Sequence, residues 1–147
     1  VRTISLQRLF VGAACLLAVL SSCNDSATGP PVAGHALVFG TARNIQGGPV
    51  SAVAVDAGLR TESCDPPDLL VQRFFTDGTG RFRGIVRTPP ELVDQTACIV
   101  ATFLPPGGSG LQSRTGAPAR ILVSNIIQSP DSVRIDVILN PTPEPSP

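Results

Sequence analysis

Apolar residues along most of this chain alternate with polar ones and do not recur at helical spacing. The clearest case is Ser132–Leu139: Val133, Ile135, Val137 and Leu139 share one face, and Ser132, Arg134, Asp136 and Ile138 the other. A period of two marks a strand with one packed and one mostly solvated face, and it suits an antiparallel sheet. Comparable runs recur at Ala36–Arg43, Pro49–Asp56, Leu69–Thr76, Arg81–Arg87, Thr96–Leu104 and Arg120–Ile127. Turn-forming stretches separate them: Asn44–Gly48, the loop Ala57–Asp68, Asp77-Gly-Thr-Gly80, the Gly/Pro/Ser loop Pro105–Pro118 and Gln128–Asp131. The chain's 14 Gly and 15 Pro, about a fifth of its 147 residues, fit such punctuation and disfavour a helical bundle. These runs predict an all-β fold, a single antiparallel Greek-key sandwich of about seven strands. Thr96–Leu104 reads as a fully buried central strand, and Arg81–Arg87 as the return of a hairpin.

The N-terminus follows a different rule. Arg2 and Arg8 precede an apolar run from Leu9 to Leu20, the layout of a secretory signal segment. That run is too short to span a bilayer, which takes about 20 apolar residues. Leu20-Ser21-Ser22-Cys23 resembles the bacterial lipobox, in which small residues let a peptidase reach the bond before the cysteine and the sulfur takes the lipid. The reading is a signal helix over 1–22 and a lipidated Cys23. Two or three acyl chains on one cysteine suffice for stable anchoring. Asn24, not Asp, follows Cys23, which favours the periplasmic face of the outer membrane over the inner membrane.

Four cysteines then resolve by elimination. Cys15 lies in the discarded segment and Cys23 takes lipid, leaving Cys64 and Cys98, an even pair in an exported chain where disulfides persist. The expected organisation is signal 1–22, lipidated cysteine and flexible tether 23–35, sandwich 36–140 and a Pro-rich disordered tail 141–147. Charge constrains partners. All 11 cationic residues are Arg, balanced by 11 acids, so bulk charge does not point to nucleic acid.

Two segments carry a family resemblance. Gly40-x-Ala42 followed by Gly48-Pro49-Val50-Ser51-Ala52-Val53-Ala54-Val55 resembles the opening of carboxypeptidase regulatory-like domains. Thr76-Asp77-Gly78-Thr79-Gly80-Arg81-Phe82-Arg83 is similar to the same family's Thr-Asp-x-x-Gly-x-Phe hairpin, and the likeness extends to Ala97–Phe103 and Val133–Leu139. The resemblance implies a transthyretin-like β-sandwich. In it Asp77 caps the turn through its side chain, Gly78 or Gly80 takes a positive φ, and Phe82 points into the core. The chain departs from the family in the long loop carrying Cys64, in Thr88-Pro-Pro-Glu91, and in the absence of any Tyr.

Composition weighs against several chemistries. Intradiol dioxygenases on a related sandwich ligate iron through two Tyr and two His; this chain has no Tyr and one His, His35, which excludes that iron site. Gly107-Gly108-Ser109-Gly110-Leu111 lacks the final Gly of a serine-hydrolase elbow. Glu62, Asp65 and Asp68 share one loop but match no calcium-loop spacing. Arg73, Arg81, Arg83 and Arg87 are the remaining cluster, able to bind carboxylate or phosphate in fork geometry. The leading expectation is a lipid-anchored envelope module that binds or supports another component, without catalytic activity, cofactor or metal. Its partners are the membrane and an envelope protein or polymer. The alternative is an envelope hydrolase or metal-dependent enzyme whose carboxylates meet only in the fold.

Overall fold

The computed structural model describes residues 33–126 and 130–143; residues 1–32, with the signal segment and Cys23, and residues 127–129 and 144–147 lie outside the described residues. Among the described residues nine strands build two sheets. In chain order they are β1 (Gly34–Asn44), β2 (Ala54–Arg60), β3 (Leu70–Phe75), β4 (Arg81–Thr88), β5 (Thr96–Leu104), β6 (Arg114–Thr115), β7 (Ala119–Leu122), β8 (Ser132–Arg134) and β9 (Val137–Leu139). The first sheet runs β4-β1-β8, with β9 on the other half of β1; the second runs β3-β2-β5-β6, with β7 also on β5.

Alternation decides what meets between the sheets. Ala36, Val38, Ala42, Phe82, Val86, Val137 and Leu139 pack from the first sheet against Val55, Ala57, Leu59, Ala97, Ile99, Ala101, Phe103 and Ile121 from the second. Phe82 and Phe103 meet edge to face, with ring centroids 5.6 Å apart at 80°, the geometry that the ring quadrupole favours.

The all-β, two-sheet architecture holds, while a seven-stranded, wholly antiparallel sandwich does not. Both β8 and β9 pair with β1 in parallel. The last expected strand keeps its alternation, with Ile135, Val137 and Leu139 buried and Arg134, Asp136 and Ile138 exposed, but its ladder breaks between Arg134 and Val137. The cause is a close crossing at Gly40, where a β-carbon would overlap the Ile135 carbonyl oxygen. Ile135 N–H donates to the Phe39 carbonyl at 2.9 Å, and Asp136 Oδ1 accepts from both the backbone N–H and the hydroxyl of Thr41 at 2.9 Å.

The expected hairpin is a corner. Because β3 pairs with β2 and β4 with β1, Asp77–Gly80 joins the two sheets. The second strand also moves, to Ala54–Arg60 from the expected Pro49–Asp56. Residues 49–53 make the crossover, turning at Ala52 with φ +55°. Buried Thr76 fastens that corner: its carbonyl accepts from Ala52 N–H, its hydroxyl oxygen accepts from Val53 N–H at 3.0 Å, and the hydroxyl donates to the Val50 carbonyl at 2.8 Å. Beyond it Val53, Val55, Ala57 and Leu59 continue the period of two, all fully buried. Arg120–Ile127 shortens to β7, and the Gly/Pro/Ser loop holds β6. Of the Pro-rich end, Pro141 bridges to Leu111 and Thr142 N–H donates to the Gly110 carbonyl at 2.8 Å.

Both faces of β5 are covered. Cys98 and Val100 lie on the face away from the core, yet Cys98 is fully buried and Val100 nearly so. The loop between β2 and β3 lies over them, pinned by a Cys64–Cys98 disulfide with Cα atoms 5.1 Å apart. Arg60 holds it too, through an ion pair to Asp68 at 2.5 Å and a hydrogen bond to the Cys64 carbonyl at 3.2 Å. Gly58 leaves the room: a β-carbon there would come within 2.8 Å of three Asp68 side-chain atoms.

Candidate functional site

On the first sheet, the side chains that point away from the core form one lattice. From β1 these are Leu37, Phe39, Thr41 and Arg43; from β4, Arg81, Arg83, Ile85 and Arg87. Register sets the rows. Phe39 stands opposite Arg83 on one side and Arg134 on the other, Thr41 opposite Arg81, and Leu37 between Ile85 and Ser132. A cleft of about 670 Å³ opens over this lattice, lined by Leu37, Phe39, Gly40, Thr41, Arg43, Asp77, Arg81, Phe82, Arg83 and Arg134.

Four guanidinium groups therefore surround an apolar floor. Arg134 is tied by its Nε to Asp136 Oδ2 at 2.7 Å, and Arg43 donates to the Gly47 carbonyl at 2.8 Å. Arg81 and Arg83 have no carboxylate partner among the described residues. Asp77 also lines the cleft and brings its negative charge close to Arg81, while its Oδ1 is engaged in the turn. That oxygen accepts from the Thr79 hydroxyl at 2.7 Å, Thr79 N–H at 2.8 Å and Arg81 N–H at 3.0 Å. The Thr79 hydroxyl, then the two backbone donors, hold the Asp77 carboxyl below its ordinary value of 3.8. Gly80 takes φ +72°, a β-carbon added at Gly78 would meet nothing within 4 Å among the described residues, and Phe82 is buried in the core.

The arginine set named from the sequence divides. Arg81 and Arg83 line the cleft. Arg73 belongs to the second sheet, where its Nε and Nη2 donate to the two Asp56 oxygens at 2.6 and 2.7 Å. This fork lowers the Asp56 pKa and raises that of Arg73. Arg87 lies two rows from Arg83, roughly 14 Å along the strand, beside His35. Its backbone is gripped by the Gln72 amide, which donates to the Arg87 carbonyl at 2.9 Å. Sequence reasoning missed Arg43 and Arg134. Arg134 carries a signal in the polar phase of the last strand, but only the pairing of β8 with β1 brings it to the cleft.

The remaining candidates stay apart. His35 is buried between β4 and Ser124, and its Nδ1 has no hydrogen-bond partner among the described residues. Ser109 is in an exposed loop. Asp68 is engaged with Arg60, and among the described residues no three His, Cys, Asp or Glu side chains group as metal ligands.

Comparison with known proteins gives weak likenesses only. No family model and no curated protein matches the chain. Similar solved structures include hydroxyquinol 1,2-dioxygenase from Pseudomonas putida DLL-E4, at 13% identity and TM-score 0.45 over 73% of this chain and 56% of that one. Chlorocatechol 1,2-dioxygenase from Pseudomonas putida is similar at 14% identity and TM-score 0.46, over 74% and 61%. A minor pilin of Streptococcus agalactiae is similar at 14% identity and TM-score 0.40, over 78% and 47%. The chain thus spans a little over half the length of the dioxygenases. One expectation is corrected by these matches. Several distinct ring-cleavage dioxygenases stand among the similar structures, so a module without catalytic activity is withdrawn as the reading of this chain. Their chemistry remains theirs, and this sequence has no Tyr and one His.

Proposed function

We propose that this protein engages an anionic ligand or substrate in the arginine-lined cleft of its first sheet. The observation that carries the reading is the lattice itself: four arginines from three strands line one cleft with Phe39, two of them without a carboxylate partner among the described residues. Guanidinium forks match carboxylate and phosphate geometry. They also stabilise negative charge as it develops on a bound group, so the same cleft suits recognition and electrostatic catalysis. Its volume falls within the range of small-molecule sites, roughly 300–1,000 Å³. The test is titration of the full chain in non-ionic detergent with inorganic phosphate and sulfate. Binding is expected, weakened by about tenfold in Arg83→Gln and lost in Arg81→Gln/Arg83→Gln. No binding, or binding indifferent to the double substitution, overturns the reading.

We further propose that the domain is held at the cell envelope, on the outer membrane, by lipid on Cys23, and that the sandwich is of the transthyretin-like, carboxypeptidase regulatory-like type. The charged and apolar N-terminal segments and Leu20-Ser21-Ser22-Cys23 support the first. The placement of the resembling residues supports the second: Gly40 at the strand crossing, Pro49–Val53 at the crossover and Asp77–Phe82 at the corner between sheets. Cys23→Ser abolishes lipid labelling and leaves precursor unprocessed; a variant processed and released like the parent overturns the anchor.

A further inference from the structure

The cleft is not a charged surface alone, and its floor narrows what fits it. Phe39 stands at the centre of a row, with Arg83 on the neighbouring strand and Arg134 on the other. Adjacent strands are about 4.8 Å apart, so the two arginines leave the backbone roughly 10 Å from each other with the aromatic ring between them. The next row continues the apolar strip, with Leu37 beside Ile85, which is 37% exposed. Arg81 stands one row the other way, about 7 Å along β4 from Arg83. A bare inorganic anion uses the guanidiniums and leaves this strip wet. A simple hydrocarbon covers the strip and leaves the guanidiniums without a counter-charge.

We infer that the ligand class of this cleft is a small amphipathic acid: a flat apolar body carrying two anionic groups at its opposite ends. This rests on the reading of the cleft as an anion site. The body lies on Phe39 in offset or edge-to-face contact, as ring quadrupoles prefer. One acid group meets Arg83, with Arg81 alongside. The other meets the Arg134 guanidinium, whose Nε is held by Asp136, leaving its terminal nitrogens for the ligand. The cleft's volume of about 670 Å³ accommodates a body of one or two fused rings.

The experiment compares three probes on the full chain in non-ionic detergent, by calorimetry with micelle-only blanks: naphthalene-2,6-dicarboxylate, naphthalene-2-carboxylate and inorganic phosphate. The diacid is expected to bind about tenfold or more tighter than the monoacid. Arg134→Gln brings the diacid down to the monoacid's affinity. Phe39→Ala weakens both aryl acids and leaves phosphate binding unchanged. Phe39→Leu, which keeps apolar cover at that position, guards against a folding defect and gives an intermediate loss. Phosphate binding that depends on Arg81 and Arg83, with a diacid no tighter than the monoacid, overturns this inference and leaves the anion site standing. Failure of all three probes overturns both.

Discussion

Removing the Cys64–Cys98 bridge tests how the outer face of the second sheet is kept closed. The bridge joins residues 34 apart in sequence. In the chain-entropy account a closed loop of that length restricts the unfolded chain by about 4 kcal/mol. For a domain of this size each kcal/mol moves the melting temperature by about 4 °C, so reduction lowers it by roughly 15 °C. A finer contrast follows from the backbone. Cys64 sits at φ +65°, a left-handed conformation that a β-carbon disfavours by about 1–2 kcal/mol and glycine does not. Cys64→Gly/Cys98→Ala is therefore more stable than Cys64→Ala/Cys98→Ala by about 1 kcal/mol. Both variants lose the bridge, and they differ only in what residue 64 must adopt. Arg60 keeps its bonds to Asp68 and to the carbonyl of residue 64 in each, so the loop retains some hold on the sheet. The assay is reversible thermal unfolding by circular dichroism, with and without a phosphine reductant, after non-reducing peptide mapping has established the bridge. Two free thiols in the purified protein, or a melting temperature that reduction leaves unchanged, refute the reasoning. Equal stability of the two variants refutes the backbone part alone.

Acid should weaken the fold through Asp77 and Asp56, whose folded-state pKa values lie below the ordinary 3.8. Their stabilisation is fully present above about pH 4 and is lost as pH falls through the folded-state values, so melting temperature is flat near neutrality and declines below about pH 4. Asp77→Asn, which keeps an oxygen to accept from Thr79 and Arg81, flattens part of that decline; an unchanged acid profile counts against the turn's share. Gly40→Ala is expected to destabilise by more than about 3 kcal/mol in the same melts, since a β-carbon would overlap the Ile135 carbonyl. A change under about 1 kcal/mol means that the crossing relaxes freely.

Alternation in the sequence was enough to read the strands' inner and outer faces, because a side chain's face depends only on its own strand. Thr96–Leu104 is found with those bounds, and the disulfide joins the two cysteines left once Cys15 and Cys23 are set aside. What alternation does not carry is which strand lies next to which. Asp77–Gly80 has the composition of a hairpin turn, yet the same residues serve a corner between sheets, and only Thr76 reaching across to Val50 and Val53 distinguishes the two. Pro49–Val53 looks like strand because it is rich in Val and small residues and runs into the alternation of Val53 and Val55, but Ala52 at positive φ ends any ladder there. The arginine cluster shows the limit most plainly. Proximity in sequence grouped Arg73 with Arg81, whereas the corner between them sends Arg73 to the other sheet and into a fork with Asp56.

The broken last strand decides where the countercharge of the cleft falls. With Arg134 opposite Phe39 and Val137 opposite Ala42, Asp136 lies beside Thr41. With the Ile135 backbone pressed against β1, Asp136 turns one oxygen to Thr41 and the other to Arg134, replacing ladder bonds with side-chain bonds. The carboxylate then holds two strands together and pairs with the Nε of Arg134, whose backbone stands opposite Phe39. Three residues separated by about 50 positions each along the chain become neighbours because one glycine lets two backbones touch. Eleven scattered arginines give no hint of it; the sheet order does.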